Sequence, residues 1–575
     1  MKQKYFIHVW VVIFLLFTSG ANVFAQSKRD SKTEVAVVNG YRIVKGERPP
    51  IDLSKVNAES YEKGKISVKF TPEMERSISQ MLIQPQKGSD VVALGNSNID
   101  KLNKEFGAVQ YKSMLYGLYE MSAKSAQHKE RHKAWGFHLW FEISIDADAD
   151  IKQAVEKFAA LKEVEIVEPV YKKRLIGNVN EEPKAEDTNI KTDKWTPNDP
   201  RYAEQWHYHN TGQQSGTVDK DIDLPEAWDI ETGNSDVIIA IVDGGIQTNH
   251  PDLSANIWSG VGYNFVTNTP TIEPHDHGTH VAGTVAGVNN NGVGIAGVAG
   301  GTGSGDGVRL MSCQVFTGSS SGGFDQAPIF AADNGAAISQ NSWGYTSVGV
   351  YDQATLDAID YFNTNGGGTV LSEGITIFAA GNDGTTGDWY PGCYAGVMGV
   401  AATNNQDVKS WYSNYGAWVD ISAPGGETNS VNQRGVLSTT TGNTYSFYQG
   451  TSMACPHVSG VAALIVSYAS RNGLILSAQD VWDLLVDNVD NHYPLNSSYS
   501  NQLGSGRLNA YAALLATEDY ISGVLNPQTF NANAVSTSQI DLSWTKNADS
   551  NNVMPGMVGR WEFWYPNYLR WLQRW

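Results

Sequence analysis

Cysteine is nearly absent. Three residues in 575 (Cys313, Cys393, Cys455), with no C-x-x-C pair, exclude both a disulfide-stapled scaffold and a zinc knuckle. Charge is sparse too, at 18% of residues, and it is one-sided: 41 Lys plus Arg stand against 60 Asp plus Glu, a net charge of −19. That balance repels phosphate backbones and anionic bilayers, so nucleic acid is not an expected partner. No apolar run reaches the ~20 residues needed to span a bilayer. The most prominent, Val9 to Phe17, follows Lys2 and Lys4 and precedes Val23-Phe24-Ala25, the pattern of a secretory signal cleaved after Ala25. The mature chain is therefore expected to be exported, with no membrane span. Glycine is abundant instead, at 57 residues without a Gly-X-Y period, which together with 41% apolar residues excludes collagen, a coiled coil and a wholly disordered chain.

At this length several segments are expected. After the signal (1–25), residues 26–60 are polar and read as a flexible lead-in. Residues 61–175 alternate strand and helix patterns: Ile66 to Phe70, Phe137 to Ile143, an amphipathic Asp148 to Leu161 and Val164 to Val167, a small α+β unit. Residues 176–197 carry acidic residues with Asn, Thr and Pro and read as an exposed linker. In 198–516 the strands become unbroken apolar runs, Val237 to Val242 and Ile375 to Ala380, with long apolar helices such as Ala454 to Ala469 between them. Such runs suit a parallel sheet buried on both faces, hence an α/β sandwich. Residues 517–575 open like an all-β module but are too few to complete one, and they end in a Trp-rich tail holding Trp561, Trp564, Trp571 and Trp575.

Four local settings carry chemistry. Asp243 follows a buried strand in Ile241-Val242-Asp243-Gly244-Gly245, at the strand end where open α/β sheets place their sites; alone it could equally cap a turn. His277 lies in His275-Asp276-His277-Gly278-Thr279-His280, opening a small-residue helix; a metal-binding histidine cluster would need a third ligand and an H-E-x-x-H pattern that is missing. Ser452, in Gly450-Thr451-Ser452-Met453-Ala454, is delivered by a glycine turn to a helix N-terminus, where free N–H groups favour negative charge, although a helix cap has the same look. Asn382, in Ala380-Gly381-Asn382-Asp383, is either a turn residue or an amide donor to an oxyanion.

The order Asp243, His277, Asn382, Ser452, with D-G, H-G-T-H, A-G-N and G-T-S-M-A nearly letter for letter, resembles the subtilisin-like serine peptidases, and Asn198-Asp199-Pro200 with Trp206 is similar to the mature start of thermitase-like members. The resemblance implies a three-layer sandwich over 198–516 and a serine endopeptidase acting on polypeptides. It assigns Ser452 as nucleophile, His277 as base, Asp243 as its orienting carboxylate and Asn382 with the Ser452 N–H as oxyanion donors. It implies that Ser342, Trp343 and Gly344 pair with substrate as an added strand and that Ala379, Ala380 and Gly381 line the primary pocket, near whose base Trp389 falls. His280, His457, Cys313 and Cys455 read as buried structural residues, not as extra bases or nucleophiles.

By the same resemblance 61–175 is an inhibitory propeptide, an intramolecular partner whose tail occupies the cleft, with the maturation cut in the linker before Asn198. Pro527 to Asn551 is similar to the start of a fibronectin type III module. A structural Ca²⁺ is implied as well, held by Asp199, Asp252, the amide oxygen of Asn291 and the carbonyls of Val288, Val293 and Ile295, a set of hard oxygens that suits the ion. From another class, the same fold could serve a catalytically silent surface-binding protein.

Overall fold

The computed structural model describes residues 33–79, 91–176, 194–318 and 320–525, the last helix residue by its backbone alone, and the backbone of four further strands: Thr529–Ser536, Gln539–Thr545, Val558–Phe563 and Leu569–Arg574. The signal read at 1–25 and most of the linker lie outside the described residues.

A nine-stranded sheet organises the large unit. In spatial order its strands are Val489–Asp490, Arg507–Leu508, Ile421–Pro424, Met398–Thr403, Ile375–Ala379, Ile338–Asn341, Ile238–Gly244, Arg309–Phe316 and Ile257–Asn264. All pairings are parallel except the first. Alternate side chains go to opposite cores: Ile239 and Ile241 join the cluster under the helices Asp276–Ala286 and Thr451–Arg471, while Ala240 and Val242 join the one under Ala327–Asp333 and Gln353–Asn365. Both faces being covered, the strand reads as an unbroken apolar run, and the fold is the expected subtilisin-like three-layer α/β sandwich with a mainly parallel sheet. Thr451–Arg471 is long and apolar enough to cross a bilayer, and 94% of that apolar stretch is buried inside the protein. Register aligns Gln314 with Asp243 and Asn341 with Val242, so the carboxyl ends of the central strands meet at one edge.

Residues 61–176 build a smaller unit whose four-stranded antiparallel sheet runs Gln110–Ser113, Trp140–Ser144, Tyr61–Phe70, Val164–Tyr171. Its helix Ile151–Ala159 starts where the Asp150 carboxylate accepts the Gln153 N–H, and it buries Ile151, Ala154, Val155 and Phe158 against the sheet. The core does not stop at the unit's edge. Trp135 meets Tyr361 of the large unit edge to face, with ring centroids 5.4 Å apart, inside one hydrophobic cluster that spans both units.

Two expectations are corrected. Residues 33–60 are not a flexible lead-in: Glu34–Val38 and Tyr41–Lys45 form a hairpin, and the following turn straps onto the helix Gln353–Asn365. Lys45 reaches Asp357 at 2.9 Å, and Arg48 reaches Asp357 at 3.0 Å and Asp360 at 2.6 Å. A polar composition does not show these pairings, because the carboxylates lie more than 300 positions away. At the other end the helix Ala510–Leu525 runs past residue 516, and the Trp-rich tail contributes strands to a four-stranded antiparallel sheet.

Asp357 and Asp360 are nearly buried, so removing Arg48 strips Asp360 of its ion-pair partner and leaves Asp357 with Lys45 alone. Arg48→Ala is expected to lower the stability of a non-cleaving precursor by about 3 kcal/mol, read as a fall in the denaturant midpoint. An unchanged midpoint would mean that the strap contributes nothing to stability.

Candidate active site

Asp243 stands at the end of the strand Ile238–Gly244 and is fully buried. Its Oδ1 accepts the Gly244 N–H at 2.6 Å and the His277 Nδ1–H at 2.7 Å, while Oδ2 has no partner among the described residues. His277 is the second residue of the helix Asp276–Ala286, whose cap His275 accepts the His277 N–H on Nδ1 at 3.1 Å. The helix comes this close because position 278 is glycine: a Cβ there would lie 2.0 Å from the Gly244 carbonyl oxygen. Burial disfavours the imidazolium, but the Asp243 carboxylate outweighs it and raises the His277 pKa above its ordinary value. With Nδ1–H committed to Asp243, Nε2 faces the cleft.

Ser452 is the second residue of Thr451–Arg471, entered through Gly450 at φ +153°. Pro456 inside this helix has no N–H to give to the Ser452 carbonyl, and that oxygen instead accepts the Ser342 hydroxyl at 3.0 Å. A helix defect thereby ties the serine's turn to the edge strand. Asn382 is not a left-handed turn residue; the positive φ belongs to Gly381, at +106°. The Asn382 side-chain oxygen accepts both the N–H of Thr451, at 2.9 Å, and its hydroxyl, at 2.8 Å, which leaves the amide NH₂ to face away from the helix. The four residues thus come from four segments: a strand end, two helix starts and the turn after a second strand. One contact expected of them is not made: the Ser452 hydroxyl donates to the Ser342 carbonyl at 3.4 Å and not to His277.

The cleft holds the end of the small unit. Lys173–Leu175 pairs antiparallel with Trp343–Tyr345, Leu175 opposite Trp343 and Arg174 opposite Gly344. The Ile176 N–H donates to the Ser342 carbonyl at 3.0 Å, and the Ile176 carbonyl lies 3.4 Å from His277 Nε2. The Ile176 side chain lies among Gly344, Ala379, Ala380, Gly381 and Trp389. Arg174 is held by both Asp383 oxygens, at 2.5 and 2.6 Å, and Lys173 pairs with Asp352. Sequence reasoning missed Thr451, Ile176, Asp352 and Asp383. The available signal was Lys173-Arg174-Leu175-Ile176 directly after the small unit's last strand.

Of the calcium set, Asp199, Asp252 and Asn291 come together, while Val288, Val293 and Ile295 take part through their N–H groups and not their carbonyls. Asp252 accepts the Asn291 amide at 2.7 Å and the Ile295 N–H at 2.8 Å, and Asp199 accepts the N–H groups of Asn290 at 2.7 Å and Asn291 at 3.3 Å. The Val288 N–H donates to the Asp252 carbonyl at 2.8 Å. Burial pushes Asp199 up to about 6 and Asp252 up to about 7, and the cation nearest in sequence, Arg201, is paired with Glu204. Two desolvated carboxylates without a cationic partner are a donor set that a hard divalent ion fits. One expectation changes in detail: the Asn291 amide oxygen accepts the Val293 N–H at 2.7 Å, so its NH₂, and not its oxygen, meets Asp252. Among the described residues no cluster of three or more His, Cys, Asp or Glu suits a metal.

His280 is spent on the Val436 and Ser446 carbonyls, and His457 on the Met453 carbonyl and His207; burial pushes both down to about 3. Cys313 and Cys455 are buried thiols, with pKa raised by desolvation.

Residues 234–507 match the Subtilase family. The chain is 32% identical over 377 residues to the thermophilic serine proteinase of Bacillus sp. (strain AK1), spanning 65% of this chain and 82% of that one. It is 35% identical over 324 residues to thermitase of Thermoactinomyces vulgaris, spanning 56% of this chain and 99% of that one. Fervidolysin of Fervidobacterium pennivorans shares the fold, with a TM-score of 0.53 at 24% identity over 80% of this chain and 62% of that one. With the fold, the D-G, H-G-T-H and G-T-S-M-A segments gathered at one sheet edge and these relatives, the chain belongs to the subtilase family and is a subtilisin-like serine protease.

Proposed function

We propose that the protein is a secreted endopeptidase made as a zymogen, in which residues 33–176 act as the propeptide. Ser452 Oγ attacks the carbonyl carbon of the scissile peptide while its proton passes to His277 Nε2. Asp243 holds the Nδ1–H tautomer and stabilises the imidazolium that forms. The Asn382 amide and the Ser452 N–H receive the developing oxyanion. As the C–N bond breaks, His277 returns the proton to the departing amine, and water then releases the acyl group by the same steps in reverse. The single observation that carries this reading is the position of Ile176: its strand is paired with the edge strand, and its carbonyl lies against His277 Nε2. A chain segment lying in the cleft as the acyl half of a substrate is inhibitory until cut and released. The bond after Ile176 is accordingly the first maturation cut, at the upstream end of the linker.

A Ca²⁺ held by Asp199 and Asp252 with backbone carbonyls would supply the missing counter-charge and tie the N-terminal stretch of the mature enzyme to its core. The four C-terminal antiparallel strands support a fibronectin-like module at this end of the chain.

Ser452→Ala is expected to abolish proteolysis and leave the precursor uncut, whereas the wild type acquires Gly177 as a new N-terminus, read by N-terminal sequencing. Maturation of the Ser452→Ala chain without helper proteases would assign the cut to another enzyme. Asn382→Ala is expected to lower kcat by ~10²–10³ with little change in KM, the usual cost of losing one oxyanion donor; a rise in KM alone would remove Asn382 from that role. Adding calcium to the chelator-treated mature Ser452→Ala protein, obtained by cutting the linker in trans, is expected to raise its melting temperature. The same melting temperature across the titration would argue against the ion.

A further inference from the structure

Counting back from Ile176, whose carbonyl faces His277, the tail presents Leu175, Arg174 and Lys173 as the second, third and fourth residues before the scissile bond. Lys173 is the unusual one. Its side chain is only 6% exposed, and its ammonium pairs with Asp352, itself 8% exposed. The same ammonium lies 4.9 Å from the ring centroids of both Phe324 and Tyr345. Tyr345 donates its hydroxyl to Asp352 at 3.3 Å and accepts the Asp352 N–H at 2.9 Å, which fixes the carboxylate against the aromatic wall. Phe324 and Asp352 line one cavity around Lys173 together with Asp325 and Thr355, and Tyr345 backs it through its bonds to Asp352.

Every wall residue named belongs to the large unit and stays when the small unit departs. The small unit's side of the cavity, including Lys65, Lys112, Trp140 and Glu142, leaves with it, as do the Tyr171 N–H to Asp352, at 3.1 Å, and Glu168, which accepts the Gln353 N–H at 2.8 Å. What remains is a carboxylate-floored, aromatic-walled pocket, suited to a cation by charge and by ring quadrupole alike. An apolar side chain there would desolvate Asp352 without replacing its counter-charge.

We propose that this pocket selects substrates with a lysine or arginine four residues before the scissile bond. The Arg174–Asp383 pair extends the selection to a basic third residue, more weakly because Arg174 is 43% exposed. The net charge of −19 works in the same direction, drawing cationic segments toward the cleft. The preferred substrate class is therefore basic stretches followed by apolar residues, of which Lys173-Arg174-Leu175-Ile176 is the built-in example.

The proposal rests on the peptidase reading and on Ile176 marking the scissile bond, and the test keeps these apart. The full-length chain is allowed to mature, its active sites are titrated with a serine-directed phosphonate, and kcat/KM is measured on quenched peptides X-Arg-Leu-Ile-Gly-Ser with X as Lys, Arg, norleucine or Glu. Lys and Arg are expected to exceed norleucine on the order of 10- to 100-fold, with Glu slowest. Asp352→Asn is expected to collapse the Lys-to-norleucine ratio to near one. Equal cleavage of the Lys and norleucine peptides by the wild type, or preference for norleucine, overturns the proposal and leaves the peptidase reading intact. No cleavage of any peptide, or cleavage at another bond, overturns the reading beneath it and the proposal with it. Because Asp352 also holds the tail, its variant can fail to mature. Lys173→Met in the precursor avoids this by leaving the mature sequence unchanged, and it is expected to slow self-cleavage after Ile176. An unaltered rate counts against the pocket.

Discussion

A carboxylate at the end of a strand buried on both faces has to be neutralised by something the sheet itself cannot supply. Asp243 is that carboxylate, and the imidazole brought against it by the helix Asp276–Ala286 is the supply. Much of the surrounding architecture serves this 2.7 Å contact. The parallel register stops the central strands at one edge. Gly278 lets the helix backbone touch the strand end. Desolvation makes the pair sensitive to geometry, because in a low-dielectric site the Asp243 charge reaches His277 with little screening. Nε2 is then the one nitrogen left to face the cleft.

A second constraint is the open edge beside that pair. The backbone groups of Trp343–Tyr345 need partners, and an antiparallel segment provides them regardless of its side chains. The small unit exploits this by continuing from its last strand, Val164–Tyr171, into Lys173–Leu175, so that one extended stretch leaves its own sheet and joins the cleft. A shared hydrophobic cluster and the Lys45–Arg48 strap on Asp357 and Asp360 hold it there. Three kinds of contact keep the tail in place, apolar packing, buried ion pairs and strand pairing, and they act on different parts of the large unit. Cutting the chain would remove none of them directly, so release requires the small unit to open as well.

The calcium candidates illustrate the opposite case, in which charge is brought together without compensation. Asp199 and Asp252 come from segments far apart in the chain and meet over the loop around Asn291. Backbone N–H groups soften the cost of burying them but add no net positive charge, and so their pKa values stay raised.

The fold class was legible along the chain because a sheet covered on both faces needs unbroken apolar strands, and Val237 to Val242 and Ile375 to Ala380 are such runs. The residues gathered at the sheet edge were legible because each sits in a short segment whose neighbours are dictated locally: a glycine that permits close approach, a strand end, a helix start. The ordered strap at 33–60 was not legible, since its ion pairs reach residues more than 300 positions away and its few apolar residues, such as Ile43, pack on a core built from other parts of the chain. The same holds for Lys173. In sequence it is one more surface lysine after a strand, and only the tertiary structure gives it a buried carboxylate and two aromatic faces. Local sequence determined which chemistry is present, because backbone conformation and periodicity act over a few residues. Tertiary structure decided what that chemistry touches, because charge and apolar surface act on whatever lies nearest in space.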